Sequence, residues 1–151
     1  MDNIFELRKL SQAFYDTYSC LEYPEMEHKA GRPYIVLLVK INELIFAIPF
    51  RTNIRHNCCY KFSNSNRKSK SVTGIDFSKA VVITSDKYLG EITNIDDKEY
   101  LELNKKAYFV INKFEKYVND YISYKKNGGN GYIEKRYKYS TLIYFDDILL
   151  K

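Results

Sequence analysis

The chain is poor in the residues that cross-link, hold metals or span membranes. Its three cysteines are Cys20, Cys58 and Cys59. Two are adjacent, where a disulfide closes only with strain, and none stands in the C-x-x-C spacing of a zinc site. Histidine occurs only at His28 and His56, and no H-E-x-x-H helix or calcium-loop spacing goes with either. This cysteine usage fits a reducing compartment, so a cytoplasmic location is expected. The start, "MDNIFELRKL", is charged and not signal-like. No apolar run approaches membrane-spanning length, so no membrane partner is expected. A glycine-flanked serine elbow is missing too, and the glycines of "NGGNG" follow a helical stretch, which makes them a helix stop and not a phosphate cradle. Neither a metal nor a cofactor is expected.

What the chain does have is apolar periodicity and unevenly placed charge. With 151 residues, 45% of them hydrophobic, it can close a core without staples, as one domain spanning 1–151. From Arg51 to Lys79 there are seven Lys/Arg and one acid, Asp76, whereas Met1 to Phe50 leans acidic. A concentrated positive field of this kind favours a polyanionic partner; the alternative is a solvated lysine-rich face.

"NIFELR" reads as a short first strand, after which Ser11 caps a helix over "QAFYDTYSCL". "YIVLLVKI" and "LIFAIPF" read as a hairpin turning at "NE", with Pro49 marking its end. "CCYKF" is a further strand candidate, and the Ser/Asn/Lys run after it is expected to be a mobile loop without an apolar anchor. "AVVITS" and "LGEITNI" are two more strands, with "DKY" as the turn between them. Leu101, Tyr108, Ile111, Phe114, Val118, Tyr121 and Ile122 recur at helical spacing and predict a long helix that stops at "KKNGGNG". "YIEKRYKYSTLIYF" predicts a last helical stretch. The expected class is α+β, with an antiparallel, partly barrel-like sheet surrounded by helices.

The segment with chemical character is "IPFRTNIRHNCCYKF", where Arg51, Thr52, Asn53, Arg55 and His56 leave the end of a strand together. RNA carries its own nucleophile, the ribose 2′-OH. An enzyme that cuts RNA therefore needs neither serine nor metal, only a proton carrier and cationic donors for the phosphoryl oxygens. His56 has the side chain for the first task, and Arg51 and Arg55 have guanidinium forks for the second. Thr52 and Asn53 can donate to phosphate or orient the hydroxyl. Plain phosphate binding needs the same residues. Asp96, Asp97, Glu99, Asp146 and Asp147 are read as first-turn helix residues, not as metal ligands.

The order "GRPYIVLLVKINELIFAIPFRTNIRHN … GIDFSKAVVI … LGEITNID" resembles the ToxN/AbiQ family of type III toxin–antitoxin systems, in particular its CptN-like members. The resemblance covers about Arg32 to Asp96. It implies a metal-independent endoribonuclease that leaves 2′,3′-cyclic phosphate and 5′-hydroxyl ends, on a sheet-centred fold similar to the MazF/Kid-type toxins. Its implied partners are cellular RNA substrates and a cognate antitoxin RNA, a small structured repeat RNA that the toxin processes. That RNA inhibits the toxin in a protein–RNA hetero-oligomer.

Carried over by position, Arg32 takes the family's basic residue before the hairpin, and Arg51 and Thr52 take its hydroxyl pair, so one hydroxyl remains. Arg55 takes its lysine, and His56 its histidine. A tyrosine of the family's site has no counterpart, and His28 lies near its place. The general base stays open among His28, His56 and Thr52. The predicted catalytic set is thus Thr52, His56, Arg55, Arg51 and Arg32. Asn53, Lys61, Arg67, Lys68, Lys70 and Lys79 are assigned to RNA contacts. Lys125, Lys126, Lys135 and Arg136, with Lys138, form a second basic surface for RNA.

Overall fold

The computed structural model describes residues 4–19, 21–26, 34–67 and 72–151. His28, Arg32, Lys68, Lys70 and Cys20 fall outside them. Strand β1 (Glu6–Leu10) is followed by helix α1 (Gln12–Thr17), whose cap is Ser11, accepting from the Phe14 N–H. Strands β2 (Ile35–Ile41) and β3 (Leu44–Thr52) form the expected hairpin. Asn42 and Glu43 turn it with φ of 52° and 67°. Both are left-handed, the twist that a two-residue hairpin loop requires.

Strand β3 does not stop at Pro49 but runs on to Thr52. The Ile83 N–H bonds the Ile45 carbonyl, so by alternation Ala47 and Pro49 also turn their backbone polar groups to that edge. There β3 pairs with β6 (Val81–Val82) at Phe46 and Ala47, and with β5 (Thr73–Asp76) from Phe50 onward. Pro49 sits in the gap between these two partners, where a missing N–H costs no ladder bond.

The remaining strands are β4 (Cys59–Lys61) and β7 (Leu89–Ile92). The seven strands form an antiparallel sheet in the order β4-β5-β3-β2-β1-β7, with β6 on β3. This is α+β as expected. The sheet is open, not barrel-like, because β4 and β7 end it without pairing to each other among the described residues. "AVVITS" and "LGEITNI" supply β6 and β7 with "DKY" as the turn between them, though the two strands pair with different neighbours. Between β6 and β7 the 3₁₀ turn Asp86–Tyr88 carries the chain from the β3 edge to the β1 edge.

Helix α2 (Asp97–Asn127) is 31 residues long, about 46 Å at 1.5 Å per residue. Asp96 caps its start, accepting from the N–H groups of Lys98 and Glu99, and Gly128 ends it at φ 79°. Its apolar stripe covers one sheet face, with Phe114 edge-on to Phe46 and Phe77. Helix α1 covers the other face through Phe14 and Tyr15. The predicted last helix is broken into α3 (Gly131–Tyr137), a 3₁₀ turn (Thr141–Phe145) and α4 (Asp146–Leu149). Ser140 and Thr141 make the break: the Ser140 hydroxyl caps the 3₁₀ turn and receives the Tyr117 hydroxyl, while Thr141 bonds the Ala80 carbonyl. Among the described residues, no helix is long and apolar enough to cross a membrane.

The loop after β4 lacks an apolar anchor, as read from the sequence, yet residues 63–67 are held by carboxylates from the start of α2. Glu102 accepts from the Ser63 and Asn64 N–H groups at 2.9 and 2.8 Å and from the Tyr60 hydroxyl. Glu99, 1% exposed, accepts from the Ser65 hydroxyl at 2.7 Å and pairs with Arg67 at 2.8 Å. Asp96 receives the Asn66 N–H at 3.1 Å. Asp96 and Glu99 are therefore more than dipole-favouring residues: together with Glu102 they clamp the loop.

Candidate active site

Strand β3 delivers Arg51 and Thr52 to the rim of the sheet, and the chain then turns through Asn53 at φ 59°. An amide side chain tolerates that left-handed conformation better than most. Ile54 reverses direction into the core, and its N–H bonds the Val72 carbonyl at 3.3 Å. This single apolar anchor leaves Thr52, Asn53, Arg55, His56 and Asn57 exposed around it. Arg55 Nε donates to Asn53 Oδ1 at 3.3 Å.

The residue on which the rim converges is Asp76, 1% exposed at the end of β5. Arg51 Nη1 lies 3.0 Å from its Oδ2, and His56 Nε2 lies 3.2 Å from its Oδ1. The Ser78 hydroxyl donates to Oδ1 at 2.6 Å and the Ser78 N–H at 3.0 Å, so Asp76 also caps the 3₁₀ turn Phe77–Lys79. Close approach of β5 to β4 makes this possible, and it depends on Gly74. A Cβ there would lie 2.2 Å from the Tyr60 carbonyl oxygen, which only glycine avoids.

His56 is oriented from both sides. The Cys58 N–H donates to Nδ1 at 3.1 Å. A nitrogen that accepts a hydrogen bond carries no proton, so the neutral ring holds its proton on Nε2, facing Asp76 and the Ser78 oxygen at 3.4 Å. The side chain is 41% exposed. Releasing the Cys58 bond opens the Nδ1 lone pair to a proton from outside, and the imidazolium so formed stands beside a buried carboxylate. The neighbouring thiols play a different part. Burial pushes the Cys59 thiol up from its ordinary range, with Asp76 adding to it and Lys61 and Lys113 opposing, and Cys59 Sγ points back to the His56 carbonyl. It is a packed, protonated group and not a nucleophile.

The structure therefore joins Arg51 and His56 directly, through Asp76, and sets Thr52, Asn53 and Arg55 on the same rim. Lys61 is the last residue of β4 and lines a separate trough against α2. Lys79 turns away from His56, donating to the Tyr139 carbonyl at 3.2 Å and pairing with Glu25 at 3.7 Å. Of the second basic surface, Lys125 pairs with Asp146, and Arg136 pairs with Asp120 while lying over the Tyr117 and Tyr137 rings. Lys126 and Lys135 are exposed. The sequence reading missed Asp76 and Ser78 as site residues. Their signal was present: Asp76 is the lone acid among seven cations, and Asp-x-Ser is a capping pattern. Among the described residues, no cluster of His, Cys, Asp or Glu could hold a metal ion.

Comparison of the chain with protein-family models, with curated proteins and with solved structures gave no match.

Proposed function

We propose that the protein is a metal-independent endoribonuclease of the ToxN/AbiQ kind, acting on single-stranded RNA and held silent by its own repeat-derived antitoxin RNA. What supports the catalytic part is the His56–Asp76–Arg51 arrangement at an exposed rim, a proton carrier backed by a buried carboxylate with a guanidinium behind it. The antitoxin partner rests on the sequence resemblance.

In the proposed step the ribose 2′-oxygen attacks the adjacent phosphorus. Its proton passes to His56 Nδ1, the bond to the 5′-oxygen breaks, and that oxygen takes a proton from solvent. Asp76 balances the imidazolium while it lasts. Arg55, whose side chain donates to Asn53, is the rim cation that meets the phosphoryl oxygens, and Thr52 orients the attacking hydroxyl. Arg51 is engaged with Asp76 and serves first to neutralise that carboxylate.

The test is incubation of purified protein with a long RNA in the presence of EDTA. The expected products are defined fragments with 2′,3′-cyclic phosphate ends, and His56→Ala lowers the rate by about a hundredfold or more without loss of the folded state. Full cleavage by folded His56→Ala removes the histidine from the chemistry. A second reading, a non-catalytic RNA-binding module, is favoured by one observation: both His56 nitrogens are occupied by protein groups. Intact RNA after long incubation supports it.

A further inference from the structure

A second feature lies on the other side of β4. Between that strand, the Ser63–Asn64 backbone and the first half of α2 runs an open trough of about 550 Å³. Lys61, Lys98, Lys105 and Lys106 line it, together with Leu101 and Phe109. It continues past Phe109 and Lys113 to Asn57, the residue next to His56. Positions 98, 102, 105, 106, 109 and 113 share one side of the helix at 100° per residue, so this is a stripe and not a scatter.

Two observations separate the stripe from an ordinary solvated face. The side-chain ammonium groups of Lys61, Lys98, Lys105 and Lys106 have no acidic or hydrogen-bonding partner among the described residues, whereas the side chains of Arg67, Lys79, Lys125 and Arg136 are each paired with a carboxylate. The one acid in its lining, Glu102, is turned toward Tyr60, Ser63 and Asn64 and offsets one of the four lysines, which leaves the lining net positive. In addition, Phe109 is 58% exposed on the trough wall, and its one ring contact among the described residues is edge-on to Tyr60. Unpaired cations that track a line, with an open aromatic face among them, are what a single strand needs: charge for its phosphates and a ring for an unstacked base. A duplex offers no free base to that ring.

We infer that the trough between α2 and β4 binds single-stranded RNA and leads it to the rim at His56. The choice of RNA over other single strands rests on the cleavage reading above. From Lys98 to Lys113 the stripe is about 22 Å long at 1.5 Å per residue, which suits the short end of single-strand site sizes, about four nucleotides.

The experiment uses the full chain and a short, fluorescein-labelled 2′-O-methyl RNA, which lacks the attacking hydroxyl and survives the measurement. Fluorescence anisotropy is followed against salt concentration, with a matched DNA as the second probe. The triple variant Lys98→Glu/Lys105→Glu/Lys106→Glu is expected to bind more than tenfold more weakly, with a salt slope shallower by about 2. Phe109→Ala is expected to bind at least fivefold more weakly with the slope unchanged. Thermal melts of each variant establish that it is folded. Wild-type affinity in folded triple and Phe109 variants overturns the groove, and equal affinity for the DNA overturns its assignment to RNA. A wild-type protein that binds through these residues but cuts nothing removes the catalytic reading and leaves the groove. One that cuts RNA, yet binds equally well without them, does the reverse.

Discussion

Asp76 and Glu102 are both buried carboxylates at the two sides of β4, and their partners differ in kind. Glu102 receives a phenol and backbone amides. Burial alone would raise its carboxyl, but these bonds outweigh that and hold it below the ordinary glutamate range. None of its donors is a cation, so it is a fixed clamp for a loop. Asp76 accepts from an arginine and a serine and lies 3.2 Å from the His56 ring nitrogen, so two of these three neighbours bear or can bear charge. It can compensate a proton arriving at His56, a task that nothing at Glu102 calls for. Burial of an acid is therefore weak as a sign of function, and the titratable character of its donors is the stronger one.

Four measurements would break or sharpen this contrast. Gly74→Ala, which touches both regions, has the largest expected effect: a Cβ driven toward the Tyr60 carbonyl pushes β4 off β5 and costs about 3 kcal/mol, read by urea unfolding. An unchanged midpoint would mean that β4 sits farther from β5 than described here. Asp76→Asn is expected to lose about 2 kcal/mol and, separately, most of the RNA-cleaving rate. Glu102→Gln should cost about 1 kcal/mol, with the Ser63 and Asn64 amides exchanging faster and cleavage almost unaltered. If the two variants lose activity equally, the contrast fails.

The pH dependence of stability is the smallest effect. At Asp96, burial pushes upward, but the N–H groups of Asn66, Glu99 and Lys98, with Arg67, hold the carboxyl below its ordinary range. Glu102 is lowered likewise. For a depressed carboxyl, stabilisation is complete above its unfolded value, roughly 4 to 4.5, and is lost as pH falls through the lower folded value. Melting temperature should therefore hold from neutrality down to that range and drop below it, and Glu102→Gln should flatten the drop.

Much of the fold was legible because local signals and tertiary context agreed. The Ser11 cap, the Asn42–Glu43 turn, the apolar stripe of α2 and its glycine stop are all written in neighbouring residues. Strand β5 was not legible. Four residues with a glycine, "TGID", have no alternation to read, and they form a strand only because β3 and β4 flank them. Pro49 misled for the opposite reason, since its harmlessness depends on where β3 changes partners, which no local pattern encodes. The site divides in the same way. The rim cations and His56 stand together in sequence, but Asp76 meets them only across a strand pairing, and the α2 lysines only across a helix–sheet contact.

Strand β4 has one further consequence. At three residues it is the sheet's outermost strand on that side, and the Lys113 ammonium donates to its Cys59 carbonyl at 2.7 Å while Lys61 stands exposed beside it. A foreign peptide seeking to extend the sheet there finds a carbonyl already occupied and a like-charged fringe. The same ammonium that steadies the strand thus works as a guard against pairing of a second copy along this edge.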